Sequence, residues 1–213
     1  WTTDIGGYSG GDPSKKDYQE LFIRWFQYGT FCPIFRAHGR RYPGDTKAPN
    51  ELWAYGPEVQ RICTDFIKLR YRLLPYIYTL SDRVTREHYT PMRLLAFDFP
   101  QDEKVLDCKD QFMYGPALLV CPILEAGATS RSVYLPEGHT WFDFWTGKKY
   151  QGGITVMAEA SLSTMPLFVK AGSIIPYYMS VEKNINTDIP LEIHVFTGED
   201  AIFNLYEDDG ETI

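Results

Sequence analysis

The 213-residue sequence has no run of eighteen or more apolar residues, so nothing in it can cross the roughly 30 Å hydrocarbon core of a bilayer as a helix. Its four cysteines, Cys32, Cys63, Cys108 and Cys121, stand far apart, with no Cys-x-x-Cys pair and no cysteine–histidine spacing suited to zinc. We expect free core thiols, no metal and no cofactor. No block of basic residues exists, and 21 Lys and Arg are outweighed by 28 Asp and Glu for a net charge of -7. That balance argues against a surface that tracks phosphates, so nucleic acid is not an expected partner. The acidic run Glu207-Asp208-Asp209-Gly210-Glu211 lacks the distal glutamate of a calcium loop. It reads as a hairpin signal whose second strand has hardly begun at Ile213. There is also no initiator Met. We therefore expect natural sequence beyond both ends, which leaves compartment open.

Glycine and aromatics are plentiful by contrast, and both occur in the opening stretch. Trp1-Thr2-Thr3-Asp4-Ile5-Gly6-Gly7-Tyr8 sets an aromatic ring, a carboxylate and a backbone free of side chains within eight residues. Gly6 and Gly7 can take positive φ and let the main chain approach a ligand, and Asp4 offers only acceptors. The plainer alternative is a turn closing a buried strand, with Asp4 bonding its own backbone.

Asp12-Pro13 supplies a helix N-cap followed by proline at the first helical position, and Tyr18, Leu21, Phe22, Trp25 and Phe26 fall on one face. The spacing predicts a helix from about Pro13 to Gln27 whose heavy apolar stripe packs in a core. Phe31-Cys32-Pro33-Ile34-Phe35 then reads as a short strand buried on both faces. Alternation puts Ile34, Arg36 and His38 on one side, so a guanidinium and an imidazole leave the strand's C-terminal end together, where α/β folds place ligands. The alternative pairs Arg36 with a surface carboxylate and uses His38 to cap a loop. Residues 40–53 read as a polar loop. Val59, Ile62, Cys63, Phe66, Ile67, Leu74 and Ile77 predict one long helix from Pro57 to about His88, kinked at Pro75. This order ends a parallel α/β array, and two strand ends are too few to close a sheet.

From Thr90 the pattern turns to short β runs between turns such as Gly115-Pro116, Thr146-Gly147 and Gly152-Gly153. Expected strands are 92–97, 112–114, 117–123, 132–135, 140–144, 154–157, 166–169, 173–176, 191–196 and 201–206, which suits an antiparallel β-sandwich. Trp141, Phe142, Phe144 and Trp145 read as core or interdomain packing rather than a sugar platform.

Four segments, Trp1 to Tyr8, Phe35-Arg36-Ala37-His38-Gly39, Arg70 to Tyr78 and Gln111 to Val120, together resemble glycoside hydrolase family 31, the α-glucosidase and α-xylosidase family. Pro166 to Gly172 and Tyr206 to Gly210 support the resemblance. It implies α/β plus all-β architecture: the last strand-helix units of a (β/α)8 barrel over residues 1–89, then a proximal antiparallel β-sandwich over 90–180. Residues 181–213 would begin a distal β domain or supply the sandwich's last strands. The implied activity is that of a retaining α-glycosidase releasing terminal α-linked xylose or glucose from oligosaccharides. By resemblance Asp4 and His38 bind sugar hydroxyls, Arg36 lies beside the nucleophile's carboxylate, and Tyr8 and Trp1 wall the pocket. Tyr8 stands where many relatives carry Phe. Retention needs two carboxyl groups about 5 Å apart, and in this family both are aspartates upstream of Trp1. The segment alone is therefore expected to be inactive and to need the N-terminal part of the same protein. A non-catalytic carbohydrate-binding β module and a structural protein without sugar affinity stay open as other classes, as does a homo-oligomeric state.

Overall fold

The computed structural model describes residues 2–41, 50–181 and 189–210. These divide into two compact units, and the chain passes between them several times.

The first unit comprises Trp1–Ile67, Val120–Tyr134 and Thr155–Pro166. Its centre is helix α1, Lys16–Gly29. The helix starts later than Asp12-Pro13 suggests, because Asp12 spends its carboxylate on the amide and hydroxyl of Ser14 in a separate turn, and Lys15 becomes the N-cap without a side-chain bond. The expected stripe is divided: Phe22 and Phe26 are buried with Ile23, while Leu21 is exposed. Phe22 stacks on Tyr55 with centroids 4.1 Å apart, and Phe26 meets Phe35 edge-on at 4.7 Å. A 3-10 turn, Leu52–Tyr55, leads into helix α2, Pro57–Arg72, which buries Val59, Ile62, Cys63 and Phe66.

The single kinked helix expected from Pro57 onward is two helices. Helix α3, Leu74–Glu87, begins after Leu73 with proline in its first turn. Pro75 has no N–H to give the preceding turn and its ring crowds that turn's carbonyl, so the break falls just before it. The expected strand over Phe31–Phe35 forms no ladder. Its apolar residues pass through a bend, and regular pairing is limited to two isolated parallel bridges, Ile5 with Ala37 and Ser9 with Arg40.

The second unit, Lys68–Leu119, Leu135–Ile154 and Leu167–Ile213, carries most of the β structure. Strands β1 Met92–Leu94, β2 Phe112–Tyr114, β3 Leu118–Val120, β4 Ser130–Leu135, β5 Thr140–Asp143, β6 Lys149–Gln151, β7 Ile154–Glu159, β8 Leu167–Lys170, β9 Ser173–Tyr178 and β10 Leu191–Phe196 follow in order. A six-stranded sheet runs β1-β2-β3-β8-β5-β6, with two-stranded β9-β10 and β4-β7 pairs. The β4-β7 ribbon lies almost wholly in the first unit. β9 and β10 are antiparallel in the register Leu191 to Tyr178. Trp141 on β5 is fully buried and its indole N–H donates to Pro136 O at 2.9 Å, whereas Trp145 is exposed. Among the described residues no cysteine is in a disulfide; Cys32, Cys63 and Cys121 are buried, and Cys108 is only half-buried. Burial pushes the Cys63 thiol up to about 12.

Candidate functional site

The two parallel bridges set residues 4–9 beside residues 36–41. The Ile5 amide donates to Arg36 O at 3.4 Å and the Arg40 amide to Tyr8 O at 2.9 Å, so two segments some thirty positions apart run in step. Asp4, its side chain three-quarters covered, accepts from Arg36 Nη2 at 2.6 Å. The Tyr8 and His38 rings lie 5.9 Å apart and tilted, both exposed. Asp4, Arg36, Tyr8 and His38 therefore belong to one pair of adjoining bridged segments. Trp1 lies outside the described residues.

Helix α1 holds the first segment from behind. The Trp25 indole N–H donates to Thr3 Oγ1 at 3.0 Å and the Tyr18 hydroxyl to Gly6 O at 2.9 Å. Burial, followed by the neighbouring Tyr55, keeps Tyr18 protonated far above its ordinary range. It remains a donor at any working pH. Both residues read in the sequence only as members of an apolar stripe.

Arg41, taken in the sequence for part of a polar loop, is almost wholly buried. Its Nη2 donates to Ile5 O (2.9 Å) and His38 O (3.1 Å), its Nη1 to Gly7 O (2.7 Å) and Arg40 O (3.2 Å), and its Nε to Tyr55 Oη (3.0 Å). Asn50 donates to Gly39 O at 2.7 Å. No sequence signal marked either residue, because the acceptors are main-chain oxygens that have no side-chain identity.

Gly6 and Gly39 explain themselves against this guanidinium. A Cβ on Gly6, at φ +87°, would sit 2.7 Å from Arg41 Nη2, and one on Gly39, at φ +127°, would sit 2.7 Å from Nη1 and 2.4 Å from Gly7 O. The site's rim thus offers one anionic acceptor, one guanidinium, an imidazole and a phenol, which suits a neutral ligand rich in hydroxyl groups. Asp4 alone cannot supply both carboxyl groups of a double displacement. Among the described residues no three His, Cys, Asp or Glu side chains gather closely enough to hold a metal ion.

Comparison with known proteins bears on the same stretch. The family model for the glycosyl hydrolases family 31 TIM-barrel domain matches residues 1–80, and that for the family 31 C-terminal domain matches 88–175. The chain belongs to glycoside hydrolase family 31. Its architecture is accordingly part of a TIM barrel followed by the family's C-terminal domain. An α-xylosidase from Saccharolobus solfataricus is 42% identical over all of this chain and 28% of that protein, and α-glucosidase 2 from Bacillus thermoamyloliquefaciens is 36% identical over 98% of this chain and 26% of its own length. The chain thus spans about a quarter of the length of the curated relatives it matches. Among family 31 crystal structures, an α-xylosidase from Xanthomonas citri superposes with a TM-score of 0.88 at 42% identity, over 99% of this chain and 23% of that one. A Flavobacterium johnsoniae dextranase complexed with glucose does so at 0.88 and 39%, over 99% and 26%. No helix among the described residues is long and apolar enough to cross a membrane.

Proposed function

We propose that this family 31 segment forms one wall of the sugar pocket of a retaining α-glycosidase whose two catalytic carboxyl groups are supplied by other parts of the protein. The observation that carries the reading is the ion pair of Asp4 with Arg36 on the bridged segment that also bears His38. Asp4 binds sugar hydroxyls, with one oxygen held by Arg36 and the other available. His38 offers a ring nitrogen to a second hydroxyl, and Tyr8 bounds the pocket. Arg36 fixes the Asp4 carboxylate and, beside the nucleophile, keeps that second carboxylate ionised. The substrate is an α-linked oligosaccharide with terminal xylose or glucose. Similarity to proteins named α-xylosidase supports xylose. Residues 1–89 act as the barrel portion, 90–180 as the proximal β-sandwich and 181–213 as its continuation, the last of these supported by β10 pairing with β9.

The test is steady-state kinetics of the full-length protein on paired aryl α-xyloside and α-glucoside substrates. Asp4→Asn and His38→Ala should each cost about 10 to 1000-fold in kcat/KM, as expected when a polar pocket group loses its hydroxyl partner. Arg36→Ala should lower kcat more than it raises KM. Wild-type kinetics for Asp4→Asn and His38→Ala would refute the pocket.

A further inference from the structure

Arg41 places a buried positive charge where all five of its acceptors are uncharged oxygens. Burying a guanidinium is costly unless its hydrogens are all bonded. Here they are: a guanidinium has five N–H groups and five oxygens receive them. The acceptors also share a pattern. Ile5 O and Gly7 O belong to the stretch bearing Asp4 and Tyr8, and His38 O and Arg40 O belong to the stretch bearing Arg36 and His38. One flat, rigid group therefore bonds both stretches at once. Direct backbone pairing between them is sparse, with one bond at 2.9 Å and one stretched to 3.4 Å. Gly6 and Gly39 bring the backbone against the same guanidinium from either side.

We propose that Arg41 is a positioning residue of the sugar pocket, a planar brace that fixes the separation between the Asp4 carboxylate and the His38 imidazole. The proposal rests on the sugar-binding roles given above to Asp4 and His38. A pocket that binds hydroxyls through two groups on different segments works only while their spacing holds to within about half an ångström. Lysine keeps the charge but brings three donors on one nitrogen, which cannot hold both the Ile5 O and His38 O pair and the Gly7 O and Arg40 O pair that the two Nη atoms bond. Charge alone is thus insufficient, and the fork geometry is the functional property.

The experiment is a double-mutant cycle in the full-length protein with aryl α-xyloside and α-glucoside substrates, using Arg41→Lys, His38→Ala and the pair together. Arg41→Lys should lose roughly 10 to 100-fold in kcat/KM, most of it in kcat, the scale of a misplaced reacting geometry. If it acts through His38, the double variant's loss should fall short of the product of the single losses by about fivefold or more, since coupled sites are not additive. Activity within threefold of wild type, or losses that multiply, overturns the brace. If Arg41→Lys does not fold, Tyr55→Phe takes the acceptor from Nε, together with the Tyr55 bond to Tyr18, and carries the same cycle, with roughly 3 to 10-fold expected and multiplying losses again decisive against the proposal. Unchanged kinetics for His38→Ala and Asp4→Asn would instead bring down the sugar-binding reading, so the two failures are distinguishable.

Discussion

Arg24 on α1 sets up the most quantitative stability test. The side chain is buried; Nη1 donates to Ser161 O at 2.9 Å, Thr164 O at 3.2 Å and Gln27 Oε1 at 3.3 Å, and Nη2 to Ala128 O at 3.0 Å and Ala160 O at 2.8 Å. Nε has no partner. Replacing it with methionine keeps much of the apolar stem and removes every donor. Of the four carbonyls, Ser161 O keeps the Thr164 amide and the other three lose their donor, at roughly 1 to 3 kcal/mol each if fully buried. Three of the four contacts are only part-buried and can recover water, and the unpartnered Nε no longer has to be desolvated. The net estimate is therefore about 2 to 4 kcal/mol, within the range for breaking a buried polar network. At about 1.4 kcal/mol per factor of ten, amide exchange governed by opening of this unit should quicken roughly 30 to 700-fold. Hydrogen exchange read by mass spectrometry on the full-length Arg24→Met protein, over Lys16–Gly29 and Thr155–Pro166, measures it. Rates within threefold of wild type in both segments would show that the carbonyls are satisfied without the guanidinium, and the reasoning would be wrong.

Two further outcomes are open to direct measurement. Tyr76 is fully buried, donates its hydroxyl to Tyr114 O at 2.9 Å and accepts from the Ala117 amide at 3.3 Å; Tyr76→Phe should cost about 1 to 3 kcal/mol, seen as faster exchange in β2 and β3, and undiminished protection there would contradict it. Tyr78 donates to Asp208. That bond holds the Asp208 carboxyl below its ordinary 3.8 and pushes the Tyr78 hydroxyl up from 10 to about 12. By linkage the Asp208 share is present above pH 3.8 and fades as pH falls through the lowered value, and the Tyr78 share is present below pH 10 and fades as pH rises through about 12. Asp208→Asn should return the Tyr78 titration, followed by NMR, towards 10; a titration still near 12 would show that another group raises it.

The sequence disclosed those features whose cause is local. Phe112–Tyr114 and Leu191–Phe196 are strands at the residues their composition suggests. The nearness of Asp4 to Arg36 was expected, but the strand end meant to carry Arg36 and His38 is not formed, and two isolated bridges hold that segment instead. Lys149–Gln151 escaped notice because its polar residues pair through the backbone to β5, a bond that composition does not advertise. Residues 201–206, β-rich in composition, carry no ladder; the Tyr206 amide instead donates to Thr79 Oγ1 on α3. Arg41 and Arg24 were invisible for one shared reason: both are recognised by carbonyl oxygens, and Arg24's come from more than a hundred residues away. The Phe31–Phe35 run was misread for a related one, since an apolar segment can be buried in a bend as well as in a sheet.

The interleaving of the first unit bears on how family 31 sequences can be recombined. Family boundaries invite a crossover between residues 80 and 88, yet Val120–Tyr134 and Thr155–Pro166 are integral to the unit that contains the rim. A hybrid joined at that seam would give α1 a foreign set of oxygens for Arg24 to grip. Donor sequence running on to Pro166 carries the native set with it.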